Sequence, residues 1–199
     1  MTRNAAPKIA IFASGSGSNA QRITEYFRER KTAEVVRIYT NNPSAYVIER
    51  AKNLNLPCHI FDRKIFRETE QILEQLRADQ TDLIVLAGFL WLVPANLIAA
   101  FPNRIINIHP ALLPKYGGKG MYGMRVHDAV IEACEDKSGI TIHLVDEIYD
   151  NGKTLYQAVC SISDEETPET LAEKIHKLEY AFFPQVIEQY LEGHRAESK

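Results

Sequence analysis

The chain has 199 residues, 23 of them basic and 26 acidic, for a formal charge of −3 at pH 7. That balance offers no electrostatic ground for a nucleic-acid or membrane partner, and no apolar run approaches the length that spans a bilayer. The polar start MTRNAAPK and three cysteines without metal-like spacing, Cys58, Cys134 and Cys160, predict a soluble cytoplasmic protein with small buried thiols.

A single domain over residues 1–199 is expected, with 1–6 and 194–199 flexible. Lys8 to Ala13 (KIAIFA) reads as a strand that passes into SGSGSNA and then a helix from about Gln21 to Arg30. Strand, glycine-rich turn and helix in that order suit a phosphate, because free amides at a helix N-terminus attract anions. Gly15 and Gly17 allow close approach, and Ser18 and Asn19 supply capping oxygens or further donors. GSGSNA also fits the G-x-G-x-x-A of dinucleotide sites. The next strand, Glu34 to Thr40, ends instead in TNNP, without the acid that would hold ribose hydroxyls. A mononucleotide or sugar phosphate fits better, and the loop alone leaves open a tight turn with no ligand.

Pro43 to Leu54 reads as a helix, Cys58 to Phe61 as a third strand, and Lys64 to Arg77 as one long amphipathic helix. This alternation implies a doubly wound, mostly parallel α/β sheet. Asp82 to Ala87 (DLIVLA) is a strand buried on both faces and ends in GFLWLVP, at the sheet edge where such folds bind ligands. Phe89, Leu90, Trp91 and Leu92 there are either ordinary core or a wall for a flat apolar ligand.

A strand-like run from Arg104 to Ile108 leads into NIHPALLPKY. Asn107 and His109, two positions apart, project to one side, a neutral amide beside an imidazole that titrates near neutrality. GGKGMYGM follows, a lid or a plain surface connection, before a helix from Val126 to Cys134. Gly139 to Val145 alternates, with Ile140, Ile142 and Leu144 on one face and Thr141 and His143 on the other. His143 is expected to be a packed or hydrogen-bonded structural histidine. DEIYDNGKT then offers Asp146, Glu147 and Asp150, among which the residues alone do not choose. Thr154 to Ile162 is a last strand, antiparallel to the one before. Thr167 and Pro168 open a long closing helix with a buried stripe at Leu171, Ile175, Leu178, Phe182 and Val186, a kink at Pro184, and Glu179 on the stripe's margin.

Together, SGSGSN, VLAGF, NIHPALLPKY, HLVDEIYDNG and LEYAFFPQVI resemble the folate-dependent phosphoribosylglycinamide formyltransferases over nearly the whole chain. The resemblance implies a Rossmann-like formyltransferase fold and formyl transfer from 10-formyltetrahydrofolate to glycinamide ribonucleotide, with no metal. Asn107 would bond the formyl oxygen, His109 would act as general acid and base, and Asp150 would orient His109 and raise its pKa. Gly17, Ser18 and Asn19 would hold the phosphate, and Glu179 the ribose. Leu90, Trp91, Leu92, Val93, Asn107, Val145 and Asp146 would meet the folate, with Arg67 matching an arginine that contacts the folate side. Trp91, GGKGMYG and the hairpin residues Asn151, Gly152 and Lys153 depart from the usual family pattern, and none of them is one of the three reacting residues. Rival implications are a formyltetrahydrofolate hydrolase, a transfer-RNA formyltransferase, or a non-catalytic phosphometabolite-binding protein of the same fold. Chain length favours the purine enzyme over the first two, as a monomer or weak homodimer acting on small molecules.

Overall fold

The computed structural model describes residues 5–197, so of the flexibility expected for 1–6 and 194–199 the part at 1–4 and 198–199 lies outside the described residues. Strands β1 (Lys8–Phe12), β2 (Glu34–Thr40), β3 (Cys58–Ile60), β4 (Leu83–Leu86), β5 (Ile105–His109), β6 (Lys137–Leu144) and β7 (Thr154–Ser161) form one sheet in the order β3-β2-β1-β4-β5-β6-β7. The first five are parallel, and β6 and β7 run antiparallel. This is the expected doubly wound sheet with an antiparallel C-terminal hairpin. The chain leaves β1 toward β2 and β3, then returns to lay β4 on the other side of β1. Loops leaving the carboxyl ends of β1 and β4 therefore diverge and open a crevice between them.

Helices α1 (Ser18–Arg30), α2 (Val47–Asn53), α3 (Arg63–Glu68), α4 (Gln71–Ala78), α5 (Ala95–Ala100), α6 (Met124–Glu132) and α7 (Pro168–Glu197) cover the two faces. Alternation in β1 sends Ile9 and Ile11 into one core with Phe27 and Phe183, and Ala10 and Phe12 into the other with Tyr39, Phe66 and Leu76. Among the described residues no helix is long and apolar enough to cross a membrane.

Four local expectations are corrected. The helix expected over Lys64 to Arg77 is two, because Thr69 is extended and its hydroxyl closes α3 by donating to the Ile65 carbonyl at 2.8 Å. The helix expected from Pro43 begins at Val47, since the Asn42 side chain accepts the Ser44 N–H and holds a turn there. Helix α1 begins at Ser18, three residues earlier than expected. Cys134 is exposed, while Cys58 and Cys160 are half-buried, and all three are free thiols.

Thr167 caps α7 as expected, its Oγ1 accepting the Thr170 N–H at 3.3 Å. The helix continues through Pro184 to Glu197 as one element. Proline has no N–H to give the carbonyl four residues earlier, and that carbonyl, of Tyr180, accepts from Arg22 Nε on α1 at 3.3 Å. The proline thus leaves a carbonyl free for a link between the two helices.

Candidate active site

The carboxyl ends of β1, β4 and β5, with the loop joining β6 to β7, enclose a cavity of about 620 Å³. At its centre β5 ends on Asn107 and His109, which both line the cavity. The register between β5 and β6 sets Asn107 opposite His143. The amide Nδ2 lies 3.0 Å from His143 Nε2 and 3.4 Å from Asp150 Oδ1. His143 Nδ1 donates to the Leu144 carbonyl at 2.8 Å, and its Nε2 faces both the Asn107 amide and, at 3.6 Å, Asp150 Oδ1. His143 is hydrogen-bonded, as expected, and it also contacts Asn107 and Asp150, which the sequence reading did not foresee.

His109 is 3% exposed. Its Nε2 lies 2.7 Å from the Tyr116 carbonyl, to which it donates, and Nδ1 faces Asp150 Oδ2 at 3.5 Å. The nitrogen that gains and loses a proton is therefore Nδ1, beside the carboxylate. Tyr116 and Asp150 both hold positive φ, 56° and 54°. Such backbone costs about 1–3 kcal/mol outside glycine and persists where the surroundings enforce it.

Burial pushes the His109 pKa down, and Asp150 and the Tyr116 carbonyl push it up less. Asp150 raises the pKa as expected, but the net direction is down, because desolvation of a nearly sealed ring outweighs one neighbouring charge. Asp150 is pushed up by its own burial. The His143 and His109 rings and the Gly118 N–H, which donates to Oδ2 at 2.9 Å, outweigh that and hold it below the usual carboxylate range.

At the polar end, Gly17 caps α1 in the left-handed region (φ 73°), and a Cβ there would lie 2.3 Å from Val47 Cγ2. No side chain caps α1, so its first amides have no side-chain partner, and Gly17, Ser18 and Asn19 line the cavity. Ser18 and Asn19 are helical residues here, not caps. Asn19 turns inward and donates through Nδ2 to Glu179 Oε2 at 2.8 Å. Glu179 is 6% exposed, not on the margin of its helix's stripe, and burial pushes its carboxyl up against the opposing Asn19 amide and His176. His127 and His176 line the same end and were not singled out from the sequence.

At the other end, Leu90, Trp91, Leu92, Val93, Val145 and Asp146 line the cavity. Phe89 is buried against Phe12 and Phe66, in keeping with the core reading, and Trp91 packs on that cluster while lining the cavity. The Leu90 N–H is taken by Ser14 Oγ at 3.1 Å, which ties the two crevice loops together and withdraws that amide from a ligand. Asp146 orders its own loop by accepting from Ile148 N and Asn151 Nδ2. Arg67 is corrected: it is exposed in the last turn of α3, outside the lining. Arg63, one turn earlier on the same helix face, lines the cavity with its guanidinium 5.9 Å from the Trp91 ring.

Among the described residues no group of three or more His, Cys, Asp or Glu side chains is arranged to hold a metal. Residues 7–187 match the family model described as formyl transferase. The chain is 38% identical over 189 residues to the phosphoribosylglycinamide formyltransferase of Bacillus subtilis, covering 92% of this chain and 94% of that protein. It is also 38% identical to the chloroplastic phosphoribosylglycinamide formyltransferase of Arabidopsis thaliana, covering 90% of this chain but only 64% of that longer protein. The crystal structure of the phosphoribosylglycinamide formyltransferase from Bacillus halodurans superposes with a TM-score of 0.84 at 36% identity, over 92% of this chain and 95% of that one. Fold, cavity and sequence agree that this chain belongs to the formyl transferase family, aligned along its length with the phosphoribosylglycinamide formyltransferases.

Proposed function

We propose that this chain, as a single domain over residues 1–199, moves the formyl group of 10-formyltetrahydrofolate to the amine of glycinamide ribonucleotide. The products are formylglycinamide ribonucleotide and tetrahydrofolate, as a step of purine synthesis. The observation that carries this reading is the Asn107, His109, Asp150 and His143 cluster midway between an uncapped helix end and an apolar wall. A phosphorylated acceptor suits the first end and a flat pterin the second.

The amine nitrogen attacks the formyl carbon, the carbonyl pair moves to oxygen, and the nitrogen becomes positive. Asn107 meets the developing oxyanion with the N–H that rests at 3.4 Å from Asp150, the weaker of its two contacts. His109 takes the amine's proton on Nδ1, where Asp150 stabilises the imidazolium, and then gives it to the folate nitrogen as the oxyanion's pair re-forms the carbonyl and the folate nitrogen–carbon bond breaks. The Tyr116 carbonyl keeps the other nitrogen protonated throughout. Gly17, Ser18 and Asn19 hold the phosphate through the end of α1, and Glu179 accepts from the ribose. Trp91, Leu92 and Val93 with Val145 pack the pterin. The protein acts in the cytoplasm as a monomer or weak homodimer.

Incubation with glycinamide ribonucleotide and 10-formyltetrahydrofolate is expected to release one tetrahydrofolate per formylated acceptor. No formylated product with active cosubstrate would overturn the reading, and folate consumed without acceptor would assign hydrolysis instead.

A further inference from the structure

Helix α6 turns Val126, His127 and Val130 inward, and the histidine on that stripe has no part in the chemistry above. His127 is 3% exposed and lines the polar end of the cavity with Glu179 and His176. Its Nδ1 is shut in with no hydrogen-bond partner among the described residues. A buried polar atom without a partner is destabilising, and an apolar residue would pack this stripe at no such cost. The exception is a position that meets a polar group of a ligand. We infer that His127 is a substrate-binding residue whose ring hydrogen-bonds a ribosyl hydroxyl of the acceptor, an inference that rests on the function proposed above.

The ring's charge state selects the hydroxyl over the phosphate. Burial, His176 and His109 push its pKa down to about 4, with only Asp128 opposing. A neutral imidazole presents one donor and one acceptor, which matches a hydroxyl, and offers no counter-charge to a phosphate. The anion's place is the uncapped end of α1. His127 and Glu179 then approach the sugar from neighbouring helices, since α6 packs on α7.

The test is steady-state kinetics of His127→Phe, His127→Asn and His127→Gln with glycinamide ribonucleotide and with its 2′- and 3′-deoxyribosyl analogues. In His127→Phe the KM for the ribonucleotide is expected to rise about 5- to 10-fold, with kcat and the KM for formyl folate unchanged within about twofold. Asn or Gln should recover part of the loss. One deoxy analogue should bind wild type as weakly as the intact ribonucleotide binds His127→Phe, and lose nothing further in the variant. Unchanged ribonucleotide KM in all three variants overturns the inference, as does an equal loss for both substrates, the mark of a structural role. Equal further losses with both deoxy analogues in the variant also overturn it. A wild-type protein that forms no formylated product refutes the function instead. Binding is then read from the 15N signals of His127 on titration with the ribonucleotide, and signals that do not move overturn the contact.

Discussion

His109 is held through both ring nitrogens, by the Tyr116 carbonyl and by Asp150. Changing it to Ala removes the group that moves the proton, and kcat is expected to fall on the order of 10²–10⁴-fold with ribonucleotide binding little changed. An equal loss of ribonucleotide affinity would assign His109 a structural role. Because burial leaves its pKa below the ordinary 6.5, the neutral base dominates at physiological pH, and the acid limb of kcat/KM should lie below pH 6.5. Asp150→Asn removes the charge that pushes this pKa up, so the pKa should fall further and the acid limb move to lower pH. Imidazole titration by NMR that finds no change would remove Asp150 from this role. Asn107 and His109 were legible because they stand two apart where an apolar strand ends. Asp150 was separable from Asp146 and Glu147 only through the family resemblance. His143 reaches the cluster because the antiparallel register sets it opposite Asn107 across 36 positions of sequence, a pairing no local pattern encodes.

At the scale of elements, the turn between β1 and α1 shapes the polar end, and its two glycines differ. Gly17 sits in the left-handed region with Val47 against it, whereas a Cβ on Gly15 would meet nothing within 4 Å. Gly17→Ala is expected to destabilise the fold by about 1–3 kcal/mol and to weaken the phosphorylated substrate, because α1 and α2 must part to admit the methyl group. Gly15→Ala should change stability by no more than about 0.5 kcal/mol. Urea unfolding of both variants checks the pair, and equal midpoints would show that the Val47 contact does not constrain the turn. The glycine pattern foretold a strand-to-helix turn, but both glycines read alike in sequence, since only α2 packing against the loop tells them apart. The break between α3 and α4 was hidden for a related reason. Apolar spacing continues across Thr69, and the hydroxyl that ends α3 acts through a backbone contact that periodicity does not register.

For the molecule as a whole, alternation of apolar runs and amphipathic segments was enough to read a parallel, doubly wound sheet. The depth at which the fold buries its titratable groups was not legible, since burial comes from helices far apart in sequence closing over them, as α6 and α7 do around His127 and Glu179. That burial sets the response to acid. In the unfolded chain His127 takes up a proton near pH 6.5, and in the folded chain only near pH 4. Between those values the unfolded state binds more protons, so stability present above pH 6.5 is lost as pH falls toward 4, by about 3 kcal/mol at most from this group. His109, lowered in the same direction, adds to the loss. Asp150 is held below its ordinary 3.8 and withdraws its contribution only at still lower pH. Glu179 works the other way: its raised pKa stabilises the fold fully below 4.5, and that contribution fades as pH rises through its folded value. The urea midpoint is therefore expected to drop between pH 6.5 and 4, and His127→Asn, which cannot take up the proton, should flatten the slope in that interval. A variant that loses stability with acid as steeply as the wild type would show that His127 is not among the groups that set it.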